Sequence, residues 1–167
     1  APVSNANPNL KWETKTEYDF GVDFALFNNK LTGTFDYYNR VTKDLYLYKN
    51  VPVPPNLYGQ TLLNIGELSN SGVELALNGK LDRFSFAANY GYVDATYQSS
   101  FDVNTIADIQ TVNKGNKIPG IAQQTFKLRT LYEITPVWNI GGNLIATKGQ
   151  YAHGAENNQI LDGINPN

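Results

Sequence analysis

The run Lys11-Trp12-Glu13-Thr14-Lys15-Thr16-Glu17-Tyr18-Asp19-Phe20-Gly21-Val22-Asp23-Phe24-Ala25-Leu26-Phe27 decides the fold class. Its even positions are Trp12, Thr14, Thr16, Tyr18, Phe20, Val22, Phe24 and Leu26, and its odd ones are Glu13, Lys15, Glu17, Asp19, Gly21, Asp23 and Ala25. Successive side chains of an extended chain point to opposite faces, so this alternation predicts one apolar and one charged face. A helix would scatter the same charges around its circumference. The alternation also outlasts the usual strand of about five or six residues. A long β-strand is expected here.

Working outward, Asn28-Asn29-Lys30 supplies a hairpin turn, because Asn tolerates positive φ. A second strand at about 31–42 sets Leu31, Gly33, Phe35 and Tyr37 against Thr32, Thr34, Asp36, Tyr38 and Arg40. A long connection at about 43–67 follows, and its Pro52, Pro54 and Pro55 forbid a central strand. The third strand, about 68–80, alternates Val73, Leu75 and Leu77 with Glu74, Ala76 and Asn78. After a turn near Leu81-Asp82-Arg83, the fourth sets Phe84, Phe86, Ala88, Tyr90 and Tyr92 against Ser85, Ala87, Asn89 and Gly91, ending near Tyr97. A second long loop covers about 98–117. The fifth strand, about 122–133, opposes Phe126, Leu128, Thr130 and Tyr132 to Lys127 and Arg129. Thr135-Pro136 marks a turn, and the sixth strand, about 138–150, opposes Trp138, Ile140, Gly142 and Leu144 to Asn139, Gly141 and Asn143. The remainder, 151–167, reads as a polar loop.

The expected fold is therefore all-β, an antiparallel meander of about six long strands in three hairpins, 11–42, 68–97 and 122–150. Antiparallel order puts every short turn at one end and every long loop at the other. Bacterial outer-membrane barrels are built this way, with short periplasmic turns and long extracellular loops. A soluble sandwich or lipocalin-like barrel also fits the alternation, its apolar faces turned inward. Three features favour the membrane. Aromatics stand near strand ends, as interfacial girdles do: Trp12, Tyr90 and Tyr92 toward the long loops, and Phe24, Phe84, Tyr132 and Trp138 toward the short turns. The opposite faces are rich in small residues, which suits a wide lumen. The strands also exceed the roughly 9–11 residues that cross a bilayer. A one-residue slip of the first strand would turn its charges to lipid, at about 2–4 kcal/mol for a midplane basic residue and less for acids or near the rims. Six strands do not close a common barrel, whose minimum is about eight. Unpaired edges in lipid cost several kcal/mol per unsatisfied group, so further strands are expected to flank these.

Composition narrows the function classes. The net charge is −2 with 17% charged residues, so the chain has no basic footprint for nucleic acid. It has no cysteine, hence no disulfide, thiol nucleophile or thiolate site. Eleven tyrosines, eight phenylalanines and two tryptophans accompany a negative mean hydropathy, yet no apolar run approaches the roughly 20 residues of a spanning helix. Ala1-Pro2-Val3-Ser4-Asn5 carries no signal-peptide pattern, as expected of a mature chain or of a piece of something longer.

Five segments carry a family resemblance. Asn7-Pro8-Asn9-Leu10-Lys11-Trp12-Glu13 resembles the opening of a late barrel strand in TonB-dependent outer-membrane receptors. Phe35-Asp36-Tyr37-Tyr38-Asn39-Arg40-Val41-Thr42-Lys43-Asp44-Leu45 resembles the strand after it, and Asn64-Ile65-Gly66-Glu67-Leu68-Ser69-Asn70-Ser71-Gly72-Val73-Glu74-Leu75 is similar to a membrane re-entry segment. These look closest to the SusC-like branch, which imports glycans or peptides. Tyr90-Gly91-Tyr92-Val93-Asp94-Ala95-Thr96-Tyr97 and Asn116-Lys117-Ile118-Pro119-Gly120-Ile121 look more like ferric-siderophore receptors. The resemblance implies a piece of the C-terminal wall of a 22-stranded barrel in the bacterial outer membrane. It further implies a plug domain, the TonB system and a siderophore or glycan ligand as partners. Neither a plug nor a TonB box is recognisable among these residues.

The candidate residues follow from the faces. Glu13, Lys15, Glu17, Asp19, Asp23, Asp36, Arg40, Glu74, Lys127 and Arg129 are expected to line the lumen, as a substrate path, as plug contacts or as a mutually paired wall. Glu17 and Asp19 are same-face neighbours on a strand, which does not make an acid–base pair, and no catalytic residue is assigned. Tyr46, Tyr48 and Tyr58, expected on the first long loop, are candidates to stack on a sugar or a siderophore. His153, with Glu156 and Asp162 nearby, lacks the convergent ligands of a metal site. Gly115 and Gly120 flank no phosphate-loop signature. No cofactor or metal is expected.

Overall fold

The computed structural model describes residues 4–104 and 109–151; all its regular elements are strands. His153, Glu156, Asp162 and nearly all of the 151–167 loop lie outside the described residues. In chain order the strands are β1 (Thr14–Leu26), β2 (Leu31–Asn50), β3 (Gln60–Leu81), β4 (Phe84–Tyr97), β5 (Phe101–Asn104), β6 (Ile109–Val112), β7 (Gln124–Thr135) and β8 (Trp138–Lys148). Six of them form one antiparallel sheet in the order β1-β2-β3-β4-β7-β8, and β5 and β6 pair separately. Every neighbour in the large sheet is the next strand along the chain, apart from the inserted β5–β6 hairpin.

Local chemistry closes the hairpins. At the β1–β2 turn Phe27, Asn28 and Asn29 are all left-handed, with φ of 54°, 55° and 63°. Asn accepts this conformation at low cost; Phe27 is carried into it by its neighbours. Asp82 (φ 51°) does the same work at the β3–β4 turn. At the β7–β8 turn the Thr135 hydroxyl accepts hydrogen bonds from the backbone N–H groups of Val137 (3.3 Å) and Trp138 (3.0 Å).

Register aligns the apolar residues of all six strands into rows. Phe24, Gly33, Leu77, Ala88, Leu128 and Leu144 stand side by side, followed one step up by Val22, Phe35, Leu75, Tyr90, Phe126 and Ala146. The turns are staggered against these rows. The β1–β2 turn closes at Leu26–Leu31, level with Gly79 and Phe86; the β3–β4 turn closes one row lower at Leu81–Phe84, level with Tyr132 and Ile140. The β7–β8 turn, at Thr135–Trp138, lies about one row lower again. A row step of two residues (about 6.7 Å) per hairpin width (about 9.6 Å) is a tilt of about 35°. Strands of membrane barrels tilt by about 35–45°.

Three differences from the sequence reading have physical causes. The connection expected at 43–67 is mostly strand: β2 runs 20 residues to Asn50 and β3 runs 22 residues from Gln60, leaving 51–59 as the loop. The prolines forbid ladder positions only where they stand, and the flanking Leu45-Tyr46-Leu47-Tyr48 pairs with residues 62–66 across a bulge at left-handed Asp44 (φ 58°). The loop expected at 98–117 contains the β5–β6 hairpin. The first strand starts at Thr14, because residues 5–13 leave the ladder to cross the β2–β3 projection. Among the described residues the fully or nearly buried apolar side chains, Ala95, Tyr97, Phe101 and Val112, gather at the long-loop end.

Candidate functional site

Alternation and register put two surfaces of opposite chemistry back to back. Residues paired across strands share a face, so the charged face can be read row by row. Its uppermost row is Lys15, Thr42, Leu68 and Tyr97; the next holds Glu17, Arg40, Asn70 and Ala95, and the one after it Asp19, Tyr38, Gly72 and Val93. Below come Gly21, Asp36, Glu74, Gly91 and Thr125, then Asp23, Thr34, Ala76, Asn89 and Lys127, and then a row that includes Arg129 beside Ala87 and Asn143. Nine of the ten lumen candidates therefore lie on one face of the sheet. Glu13 does not: it precedes β1, and its carboxylate accepts the backbone N–H of Tyr46 at 2.8 Å.

Glu17 is the centre of the ion pairs on this face. It binds Lys15 at 2.9 Å through one oxygen and Arg40 through the other. All three side chains are a third to a half exposed, so the network orders the wall more than it stabilises it. Asp19, Asp23, Asp36, Glu74, Lys127 and Arg129 form no ion pair among the described residues. Asp36 and Glu74 even face each other across β2–β3, a like-charge pairing that disfavours the sheet. Between them and β7 lies an open depression of about 190 Å³, lined by Thr34, Asp36, Glu74, Asn89, Thr125 and Lys127. Its floor is Gly91, where an added Cβ would meet nothing within 4 Å. The face is thus a wall of fixed, largely uncompensated charges on rigid strands. Among the described residues no group of three or more His, Cys, Asp or Glu side chains is placed to hold a metal ion.

The apolar face carries the expected aromatics, with adjustments. Phe84 and Tyr132 are cross-strand partners near the turn end, Trp138 is 70% exposed beside them, and Phe24 sits one row above Leu26. Tyr90 and Tyr92 stand on β4 toward the loop end, but Trp12 lies outside β1. The reading missed Phe20 and Tyr37, which share a row with Tyr92, and Tyr18 one step further out. Each looked like a mid-strand residue because levels on different strands cannot be compared before the register is known.

The three tyrosine candidates share the β2–β3 projection but not a loop. Tyr46 and Tyr48 are in β2, opposite Asn64 and Leu62; only Tyr58 lies in the 51–59 loop. A feature the sequence reading missed holds this projection. Asn64 accepts a hydrogen bond from the Lys11 N–H (2.8 Å) and donates to the carbonyls of Lys11 (2.9 Å) and Asp44 (2.7 Å). Asn7 donates to the Leu62 carbonyl at 3.0 Å. The Asn5 side chain accepts from the N–H groups of Leu57 and Tyr58 and donates to the Tyr58 carbonyl. Two segments that carried the family resemblance, 7–13 and 64–75, therefore meet in space as lock and strap.

A family described as TonB dependent receptor-like, beta-barrel, matches residues 1–165. The chain belongs to this family of TonB-dependent receptor β-barrels. Its relatives include TonB-dependent receptor P3 of Formosa agariphila, 37% identical over 114 residues, which are 68% of this chain and 10% of that protein. TonB-dependent receptor SusC of Bacteroides thetaiotaomicron is 43% identical over 74 residues, 44% of this chain and 7% of that one. The probable TonB-dependent siderophore receptor PiuA of Acinetobacter baumannii is 23% identical over 152 residues, 89% of this chain and 19% of the other. The TonB-dependent receptor barrel chain thus spans about a tenth of the length of the curated relatives it matches.

Proposed function

We propose that this chain is a stretch of the wall of an outer-membrane transporter, with its apolar face against lipid and its charged face toward the lumen. The observation that carries the reading is the continuous apolar belt. Phe20 (61% exposed), Ile140 (60%) and Leu144 (54%) belong to a surface that runs across six strands without a charged residue in its central rows. Soluble monomers rarely expose apolar patches above a few hundred Å². Five belt positions per strand, at a tilt of about 35°, give a height of about 22 Å plus side chains, against the roughly 25 Å apolar band of known membrane barrels.

On this reading the short turns face the periplasm and the β2–β3 and β4–β7 connections face outside. The partners are the remaining strands and plug of the same receptor, the TonB system and an imported ligand. A relative named as a siderophore receptor, and the resemblance of residues 64–75 to the glycan-importing SusC-like branch, support import of a siderophore or an oligosaccharide, with Tyr48 and Tyr58 on the outer projection as ligand contacts. Deleting the gene tests this. Growth on one defined oligosaccharide or one ferric siderophore is expected to fall to background, and to fall equally when TonB is removed. Unchanged growth across both classes overturns import.

A further inference from the structure

Tyr38 belongs to the charged face of β2, but its ring does not stand away from the sheet. Its cross-strand partner on β3 is Gly72, and a Cβ added there would lie 2.7 Å from the Tyr38 hydroxyl oxygen and 2.8 Å from Cζ. The phenol end of the ring therefore rests on the bare backbone of Gly72, which is buried beneath it. Glycine at this point lets the ring lie across the gap between strands, with one side against the sheet and the other turned away from it. An aromatic side chain held in this way is a flat apolar platform on an otherwise polar wall.

The row above supplies an unused donor and an unused acceptor. Arg40 and Asn70 are cross-strand partners one step from Tyr38 and Gly72. Arg40 binds Glu17 through Nη2, yet its Nε is buried without a hydrogen-bond partner among the described residues, and so is Oδ1 of Asn70. Such groups are few in folded proteins, because each has lost the bonds it made to water. A hydroxyl group satisfies both at once, since it accepts from Nε–H and donates to the amide oxygen. A carboxylate only accepts and an ammonium only donates, so neither does the same. On its other sides the ring has Asp19, its partner on β1, and Glu74, one row below Gly72. Neither carboxylate forms an ion pair among the described residues. Both can accept from hydroxyl groups, and both repel an anionic ligand.

We propose that Tyr38, with Asp19, Arg40, Asn70 and Glu74 around it, is a saccharide-binding subsite on the charged face. One sugar ring stacks on the phenol ring and places a hydroxyl group between Arg40 and Asn70. One row of the ladder is about 6.7 Å, so a sugar seated on Tyr38 reaches that pair through its own hydroxyl groups. Of the two ligand classes left open above, this chemistry selects the neutral oligosaccharide over an anionic ferric siderophore. The inference rests on the wall reading, since only then does Tyr38 face a passage.

The test uses the purified full-length receptor in detergent and titration calorimetry. Maltohexaose, cellohexaose, laminarihexaose and mannohexaose are the neutral probes, and ferric enterobactin is the anionic one. At least one neutral oligosaccharide is expected to bind, and Tyr38→Ala to weaken it about tenfold or more. Tyr38→Phe keeps the ring and should keep most of the affinity, whereas Asn70→Leu removes the orphaned acceptor and should weaken binding several-fold. Binding of ferric enterobactin alone, binding of none of the probes, or saccharide affinity equal with and without Tyr38→Ala overturns the subsite. A structure of the unsubstituted receptor with the bound saccharide covers the case in which the variants fail to fold. A sugar ring over Tyr38 supports the subsite. A sugar elsewhere with only water between Arg40 and Asn70, or a segment of the receptor's own chain over the ring, overturns it. Growth separates this failure from that of the import reading. TonB-dependent growth on a saccharide whose binding ignores Tyr38→Ala leaves import standing and sinks the subsite. A saccharide bound over Tyr38, with growth unchanged on gene deletion, sinks import and leaves the subsite.

Discussion

Asn64 shows how much of the outer projection hangs on one side chain. An amide offers an acceptor and two donors, and here the acceptor takes Lys11 N–H while the donors reach the carbonyls of Lys11 and Asp44. Asp44 is the left-handed residue of the bulge, so the same amide fixes both the crossing strap and the bend beneath it. Asn64→Ala should cost about 1–3 kcal/mol, because each orphaned partially buried group loses its bond. The loss should appear as faster amide exchange at Lys11 and in the strap, with β4 and β7 unaffected; unchanged exchange at Lys11 would remove the lock. Asn64→Asp keeps the acceptor and loses the donors, so it should fall between the two. At the opposite end of the sheet, Asn29 sits at φ 63°. Asn29→Val places a β-branched residue there, at about 1–2 kcal/mol, whereas Asn29→Gly should be near neutral. Urea unfolding of the reconstituted receptor reads the difference. The Asn-Asn pair was legible as a turn; the Asn64 lock was not, because its partner is 53 residues away.

At the scale of elements, close strand approach depends on a few positions. A Cβ on Gly33 would lie 2.6 Å from the Ala76 carbonyl oxygen on β3, a backbone atom that cannot step aside. Gly33→Ala should therefore push β2 away from β3 at a cost of about 1–3 kcal/mol. Gly91→Ala, facing open space, should be mild by comparison. The folded fraction, read as the heat-dependent mobility shift of the receptor on gels, separates them; equal loss in both would mean that Gly33 is not a packing point. The six strands of the large sheet were readable because alternation is written within each one. Their lengths were less so. In β2 and β3 the prolines drew the boundary too early, and the bulge at Asp44 breaks the alternation where the reading stopped. The β5–β6 hairpin left only two short alternating runs, Phe101-Asp102-Val103 and Ile109-Gln110-Thr111-Val112, too brief to stand out from loop sequence. Facing was legible for Asp19 or Lys127, since period two fixes it. That Glu17 takes Arg40, and that Asp36 faces Glu74, needed the register, which the turns set and the sequence of one strand does not contain.

At the scale of the molecule, the stagger of the turns, the belt and the charged face are one geometric fact. Strands that tilt by about 35° must step one row per hairpin, and the apolar positions must step with them to keep the belt level in a bilayer. The sequence does this: the belt occupies Tyr18 to Leu26 on β1 and Trp138 to Ala146 on β8, two rows lower across the sheet. A water-filled core would not require that its apolar residues follow such a slope, because burial by a second layer depends on coverage and not on depth. The two faces should consequently respond in opposite ways to the same charge. Phe35 occupies the central row of the belt, and its neighbour Thr34 points to the charged face between Asp23 and Ala76. On the proposed wall orientation, Phe35→Arg places a guanidinium near the midplane, at about 2–4 kcal/mol, and should reduce the folded, heat-modifiable fraction of receptor in the outer membrane severalfold. Thr34→Arg adds the same charge beside Asp23 and Asp36, which form no ion pair among the described residues, and should fold at normal yield. Were Phe35→Arg tolerated and Thr34→Arg destructive, the assignment of the two faces would be reversed.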